Sequence, residues 1–143
     1  MDFSADSSYN LHEMLTNLFS FFLAGPVYVR VRRNQFQIRN LESGFDATVV
    51  AQVPFSTTRL LIGQFVIAQN TLKEALKQVS KERLFQILPH MVIHSLEMIE
   101  GGLSEIEERI FREVAMGAGA SKVVVWLGHE LTDTEVRKKL SGT

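Results

Sequence analysis

Four histidines, two glycine clusters and a run of arginines are the residues of this chain whose types could do chemistry. His12, His90, His94 and His129 are the candidate bases or metal ligands. His90 and His94 are four apart, but Met91-Val92-Ile93 between them reads as strand. At roughly 3.3 Å per strand residue the two imidazoles share a face about 13 Å apart, too far for one metal. No acidic residue lies at a motif-like offset, and no Ser–His–Asp arrangement follows from the spacing. No metal and no catalytic residue are expected.

The glycines invite a phosphate-loop reading. Gly117-Ala118-Gly119-Ala120 follows a helical pattern and precedes a strand, the reverse of the order a phosphate loop needs. It reads instead as a helix C-cap with close helix–strand packing. Gly101-Gly102 has the right order, yet Glu97, Glu100, Glu105 and Glu107 surround it and would repel phosphate. No cofactor is expected at either.

The arginines form a pattern of their own. If two short strands alternate, Tyr28, Arg30, Arg32, Gln35, Gln37 and Arg39 leave one sheet face. Such a face could bind single-stranded nucleic acid by stacking and phosphate contact. A net charge of −1 and a lone aromatic weigh against that. A solvated face is the expected reading, and a protein-binding face for acidic partners comes second. Glu105, Glu107, Glu108, Arg109 and Arg112 read as the solvated side of a helix, with Glu105–Arg109 and Glu108–Arg112 pairs.

These residues sit in a chain with the composition of an ordinary globular protein. It has 143 residues, 45 % of them hydrophobic and 22 % charged, enough for one domain with a sizeable core. There is no cysteine, which excludes disulfides and thiolate zinc and fits a reducing cytoplasm. No apolar run reaches the roughly 20 residues that span a bilayer. The first basic residue is Arg30, so no signal peptide is expected, and a cytoplasmic location follows.

The elements that must position the candidates follow from periodicity. Residues 1–10 read as a polar lead-in and residues 11–143 as one domain. Leu11, Met14, Leu15, Leu18 and Phe22 mark an amphipathic helix over 10–23, stopped at Gly25-Pro26. Asp2, Asp6 and Glu13 with no basic residue disfavour peripheral membrane contact, so packing on the sheet or on a partner is expected. Val27, Val29 and Val31 mark one strand, Phe36 and Ile38 a second, and 47–53 a third, as an antiparallel meander. Thr57-Thr58 opens a long helical segment, continuous or broken near Gly63, with Leu61, Phe65, Ala68, Leu72, Ala75, Leu76 and Val79 as its stripe. Met91–Leu96 is a short strand. Ser104-x-x-Glu107 is a capping box for a helix with Ile106, Ile110 and Val114 buried. Lys122–Leu127, apolar throughout, reads as a central parallel strand. A last helix runs from Thr132 or Asp133 to Leu140. The βββαβα succession is the α/β plan of a ribonuclease-H-like or actin-like half domain, with a mixed five-stranded sheet and an extra N-terminal helix.

The wording adds to the order. Glu105 to Glu113 (EIEERIFRE) followed by Met116 to Ala120 (MGAGA) resembles the helix and glycine–alanine turn of the bacterial actin MreB, the rod shape-determining family. LKEALKQV at 72–79 and ATVVA at 47–51 are similar to the preceding helix and third strand of the same half. The resemblance implies an actin-like fold with a role in cell shape. The departures from the family's pattern, not the resemblance, lead to the expectation of no ATPase activity. Where the family's first strand ends in an Asp and a glycine-rich turn, this chain reads Val27-Tyr28-Val29-Arg30-Val31-Arg32-Arg33-Asn34. The small-subdomain insertion is missing between Val53 and Leu60, and no second half follows Trp126. The expectation is a non-catalytic protein that works by contact: self-association, or binding a cytoskeletal or envelope-linked protein. Its expected interface is the N-terminal helix (Leu11, Leu15, Leu18, Phe22) and the hairpin face (Tyr28, Arg30, Arg32, Arg39). The alternative is a small nucleotide- or ligand-binding module without turnover.

Overall fold

The computed structural model describes residues 11, 12, 15, 25–80 and 88–142. Leu11, His12 and Leu15 lie in helical backbone and are exposed, whereas Leu18 and Phe22 of the expected helix lie outside the described residues. The elements are β1 (Pro26–Arg32), β2 (Gln35–Asn40), β3 (Asp46–Val50), α1 (Phe65–Val79), β4 (His90–Ser95), α2 (Glu105–Gly117), β5 (Lys122–Trp126) and α3 (Asp133–Ser141).

The strands form one mixed sheet in the order β3-β2-β1-β4-β5. β1 and β2 pair antiparallel, as do β2 and β3, whereas β4 runs parallel to β1 and β5 parallel to β4. This is the α/β half-domain plan expected from the element order. Arg33-Asn34 makes the tight β1–β2 turn, with Asn34 at φ 59°, a conformation asparagine tolerates.

Both faces are covered. Val27, Val29, Val31, Phe36, Ile38, Met91 and Ile93 project to one side, where α1 supplies Ala68, Leu72, Ala75 and Val79 and α2 supplies Phe111, Val114 and Ala115. Tyr28, Val92 and Val124 project to the other side against Leu131, Val136 and Leu140 at α3.

Four expectations need correction. Lys122–Trp126 is the edge strand of this sheet, not a central one. Val123 to Trp126 are nonetheless apolar because α2 and α3 pack against the strand from its two sides. Tyr28 is buried rather than solvated, because α3 folds back over the lower half of the arginine-bearing face. Helix α1 starts at Phe65. The preceding residues are held as a loop: Ser56 and Asn34 exchange bonds of 2.8 and 3.0 Å, and the Phe55 carbonyl accepts from both Gly63 and Gln64. Ile106 is 74 % exposed. At about 100° per residue it stands roughly 140° around α2 from Phe111, which with Val114 and Ala115 makes the actual core stripe.

The capping box is present, with Glu107 N–H donating to Ser104 Oγ and Ser104 N–H to the Glu107 carboxylate. Ser104→Ala should therefore lower thermal stability by about 1 kcal/mol, read from the shift in a urea midpoint. At the other end of α2, Ala118 N–H donates to the Val114 carbonyl and Ala120 N–H to that of Ala115. The glycine–alanine segment is a helix terminus, as its order in the sequence implies.

Candidate functional site

The arginine-bearing face divides into two parts, and α3 draws the line between them. Arg39 Nε and Nη2 donate to the two Asp133 carboxylate oxygens at 3.0 and 3.2 Å, and its Nη1 donates to Asp46 at 2.8 Å. Bonds to Asp133 first, then the charges of both acids, hold its pKa above the usual value. Arg39 is thus a clamp that fastens the start of α3 to β2 and β3. Its guanidinium is committed inside the chain.

Beneath α3 lies a polar relay. His94 is fully buried on β4. Its Nε2 lies 2.9 Å from the Gly128 carbonyl, which can only accept, so Nε2 carries the proton. Nδ1 is then an acceptor, and Tyr28 Oη, 2.6 Å away, donates to it. The Tyr28 oxygen in turn accepts from Leu131 N–H at 3.1 Å. One direction of donation therefore runs from Leu131 through Tyr28 and His94 to Gly128, tying strands β1 and β4 to the loop that leads into α3. Burial pushes the His94 pKa down, with the Arg30 charge adding to the effect, and burial pushes that of Tyr28 up. The ring is held neutral, as a lone buried histidine must be.

Beyond the relay, at the carboxyl ends of the parallel strands, Arg30, His94 and Trp126 stand level on β1, β4 and β5. Arg30 lies over the Tyr28 ring with its guanidinium carbon 5.5 Å from the centroid. Trp126 carries the Lys139 ammonium 3.6 Å above its ring and donates to the His129 carbonyl at 2.8 Å. His129 Nε2 donates to Glu135 at 2.7 Å; this bond, with those from Thr132, holds the Glu135 carboxyl below its usual range. Arg30 and Arg32 meet only distant carboxylates, Glu130 at 3.9 Å and Glu97 at 3.6 Å.

The second feature is an open strand edge. Ala51 N–H donates to the Asn34 carbonyl, so β3 residues of the same parity turn their backbone toward β2. Asp46, Thr48 and Val50 therefore turn their amides outward. Among the described residues no strand pairs with that edge. A groove of about 740 Å³ runs between it and α1, lined among others by Thr48, Val50, Val53, Ile67, Thr71 and Glu74. Val50 is 61 % exposed, and Phe45 and Val53 are exposed beside it.

Of the expected interface, Tyr28 is buried, Arg39 is held by two carboxylates, Arg30 and Arg32 are half-buried like Arg39 but without close carboxylates, and Leu11 and Leu15 are exposed. The helix pair Glu108–Arg112 forms at 3.4 Å, whereas Arg109 pairs with Glu113 at 3.9 Å instead of with Glu105. Sequence reasoning missed the relay. It joins residues 66 and 103 positions apart and has no motif, and its one local signal is the place of His94 at the end of the apolar run Met91-Val92-Ile93. Among the described residues no group of three or more His, Cys, Asp or Glu could hold a metal, and no helix is long and apolar enough to cross a membrane.

No protein-family model matches the sequence. The fold is similar to part of the crystal structure of the ethanolamine utilization protein EutJ from Carboxydothermus hydrogenoformans, with a TM-score of 0.48 and 16 % identity over 71 % of this chain; the chain spans 35 % of that protein's length. The "Uncharacterized protein YjaA" of Escherichia coli K12 is 40 % identical over 101 residues, which are 67 % of this chain and 78 % of the relative. At that identity and coverage, the chain belongs to the family of E. coli YjaA.

Proposed function

We propose that this protein works by protein–protein contact without catalysis, and that its partner at the open edge of β3 is a second copy of itself. The edge of β3, with which no strand pairs among the described residues, and the groove of mixed polar and apolar lining beside it carry the reading. Natural edge strands are usually blunted by lysine, proline or a bulge. Asp46-Ala47-Thr48-Val49-Val50 has none of these residue types, and its one charge is already held by Arg39. Two copies run antiparallel about Thr48 would set Asp46 opposite Val50 and Ala47 opposite Val49. No like charges meet in that register. Glu74 is the one charged side chain among the described residues lining the groove, so an uncharged strand suits it. The resemblance to MreB supports a contact-based role and makes a cytoskeletal or cell-shape protein the other partner to test.

Size-exclusion chromatography with light scattering tests this. The expected result is a dimer that Thr48→Lys and Val50→Lys convert to monomer while the fold is kept. A clean monomer at high micromolar concentration would sink self-association, and dissociation only in Leu15→Asp with Leu18→Asp would move the interface to the N-terminal helix. The nucleotide-binding alternative is tested by melting with millimolar ATP, ADP and magnesium. Ligand at 100 times its dissociation constant adds about 2.7 kcal/mol, and no shift at millimolar nucleotide would sink that alternative.

A further inference from the structure

We infer that Arg30 and Arg32 form a receptor for an oxyanion, a carboxylate or phosphate group, at the carboxyl ends of β1, β4 and β5. A guanidinium carries five N–H donors in a fixed fork and cannot shed its charge. Buried or half-buried donors of this kind are nearly always satisfied. Arg30 is only 27 % exposed, yet among the described residues its Nε is buried without a hydrogen-bond partner and its ion-pair partner, Glu130, stands 3.9 Å away. That distance is too long for a hydrogen bond. Arg32 is little better supplied, with a 3.4 Å bond from Nε to Gln37 and Glu97 at 3.6 Å. Glu97 is occupied elsewhere, since its other oxygen accepts from Arg33 N–H at 2.9 Å.

The contrast with Arg39 shows what a satisfied arginine on this face looks like. It makes three bonds of 2.8 to 3.2 Å to two carboxylates. Arg39 pairs with Tyr28 across the ladder, and two and four residues beyond Tyr28 the same face of β1 carries Arg30 and Arg32, cations short of acceptors. Arg30 and Arg32 alternate on β1, so their Cα atoms are about 6.6 Å apart and both side chains leave one side. Open α/β sheets bind ligands in the crevice outside the carboxyl ends of their parallel strands, which is where this pair sits. Lys139, held over Trp126, adds positive charge to the same side of the sheet. Glu97 and Glu130 are then weak internal stand-ins that an external oxyanion displaces.

Nitrogen-detected NMR of the arginine Nε–H groups, at constant ionic strength with chloride as control, tests this. Inorganic phosphate, pyrophosphate and succinate are the three probes. The expected result is a saturable shift of the Arg30 and Arg32 signals, weakened at least tenfold in Arg30→Gln and in Arg32→Gln. Glu130→Gln, at an exposed position, should tighten binding several-fold without touching the fold, and it decides the matter if an arginine variant is unstable. Response to phosphates alone assigns a phosphate group, and response to succinate alone assigns a carboxylate. Absence of any saturable shift in both wild type and Glu130→Gln, or binding indifferent to both arginine replacements, overturns the proposal.

Discussion

Phe55→Ala should lower the stability of this protein by about 3–5 kcal/mol, a large share of the 5–15 kcal/mol typical of a domain. Phe55 belongs to the irregular connection between β3 and α1, yet its ring is fully buried. It stacks on Phe36 with centroids 5.0 Å apart and planes inclined by 19°. The same residue's carbonyl accepts the Gly63 and Gln64 amides, so ring and backbone together seat the start of α1. Truncation leaves a cavity between β2 and the helix layer that rigid neighbours cannot fill. A urea titration should show the midpoint falling with little change in slope. Phe65→Ala, only ten residues on but exposed, should lose less than about 1 kcal/mol. Equal losses at the two sites would refute the role given to Phe55.

The second large effect belongs to the relay. Tyr28→Phe keeps the ring but leaves Leu131 N–H without an acceptor and His94 Nδ1 without a donor, both in buried surroundings. At about 1–3 kcal/mol for each of the two stranded groups, the expected loss is about 2–6 kcal/mol. The relay also predicts a pH dependence with a definite sign. The folded state holds His94 below its ordinary pKa of 6.5. Above that pH neither state binds the proton and the relay's contribution is intact. Below it the unfolded chain takes up a proton that the folded chain refuses, so stability falls as the pH drops toward the folded-state pKa, by up to about 1.4 kcal/mol per pH unit. The charged groups near the ring are Arg30, Glu130 and His129, and Arg30 opposes protonation while Glu130 favours it. His94→Leu should flatten this component between pH 6.5 and the acid limb. A wild-type profile parallel to that of the variant would show that His94 does not titrate on unfolding.

The elements legible in the sequence were those with strong local signals. β1, β2 and α2 stood close to their observed limits because alternation, a turn at Arg33-Asn34 and a capping box act within a few residues. The readings that failed depended on distant neighbours. Thr57 was a good helix start by residue type, but Asn34 on the β1–β2 turn captured Ser56 and kept the segment as loop. Ile106 was apolar at the right spacing, but the sheet met the opposite stripe of α2.

The candidate site divides in the same way. Residue types along the chain alone established the order of elements, the absence of thiol chemistry, the helix-ending place of the glycine–alanine turn and the alternation that puts Tyr28, Arg30 and Arg32 on one face. Only the tertiary structure decided which of these meet water. Strand period assigns a side chain to a face and says nothing of what covers that face. Helix α3, more than ninety residues further on, buries Tyr28, commits Arg39 to Asp133 and stops short of Arg30 and Arg32. Contacts of that sequence separation leave no local trace, and they separate the arginine held by close carboxylates from the two that meet only distant ones.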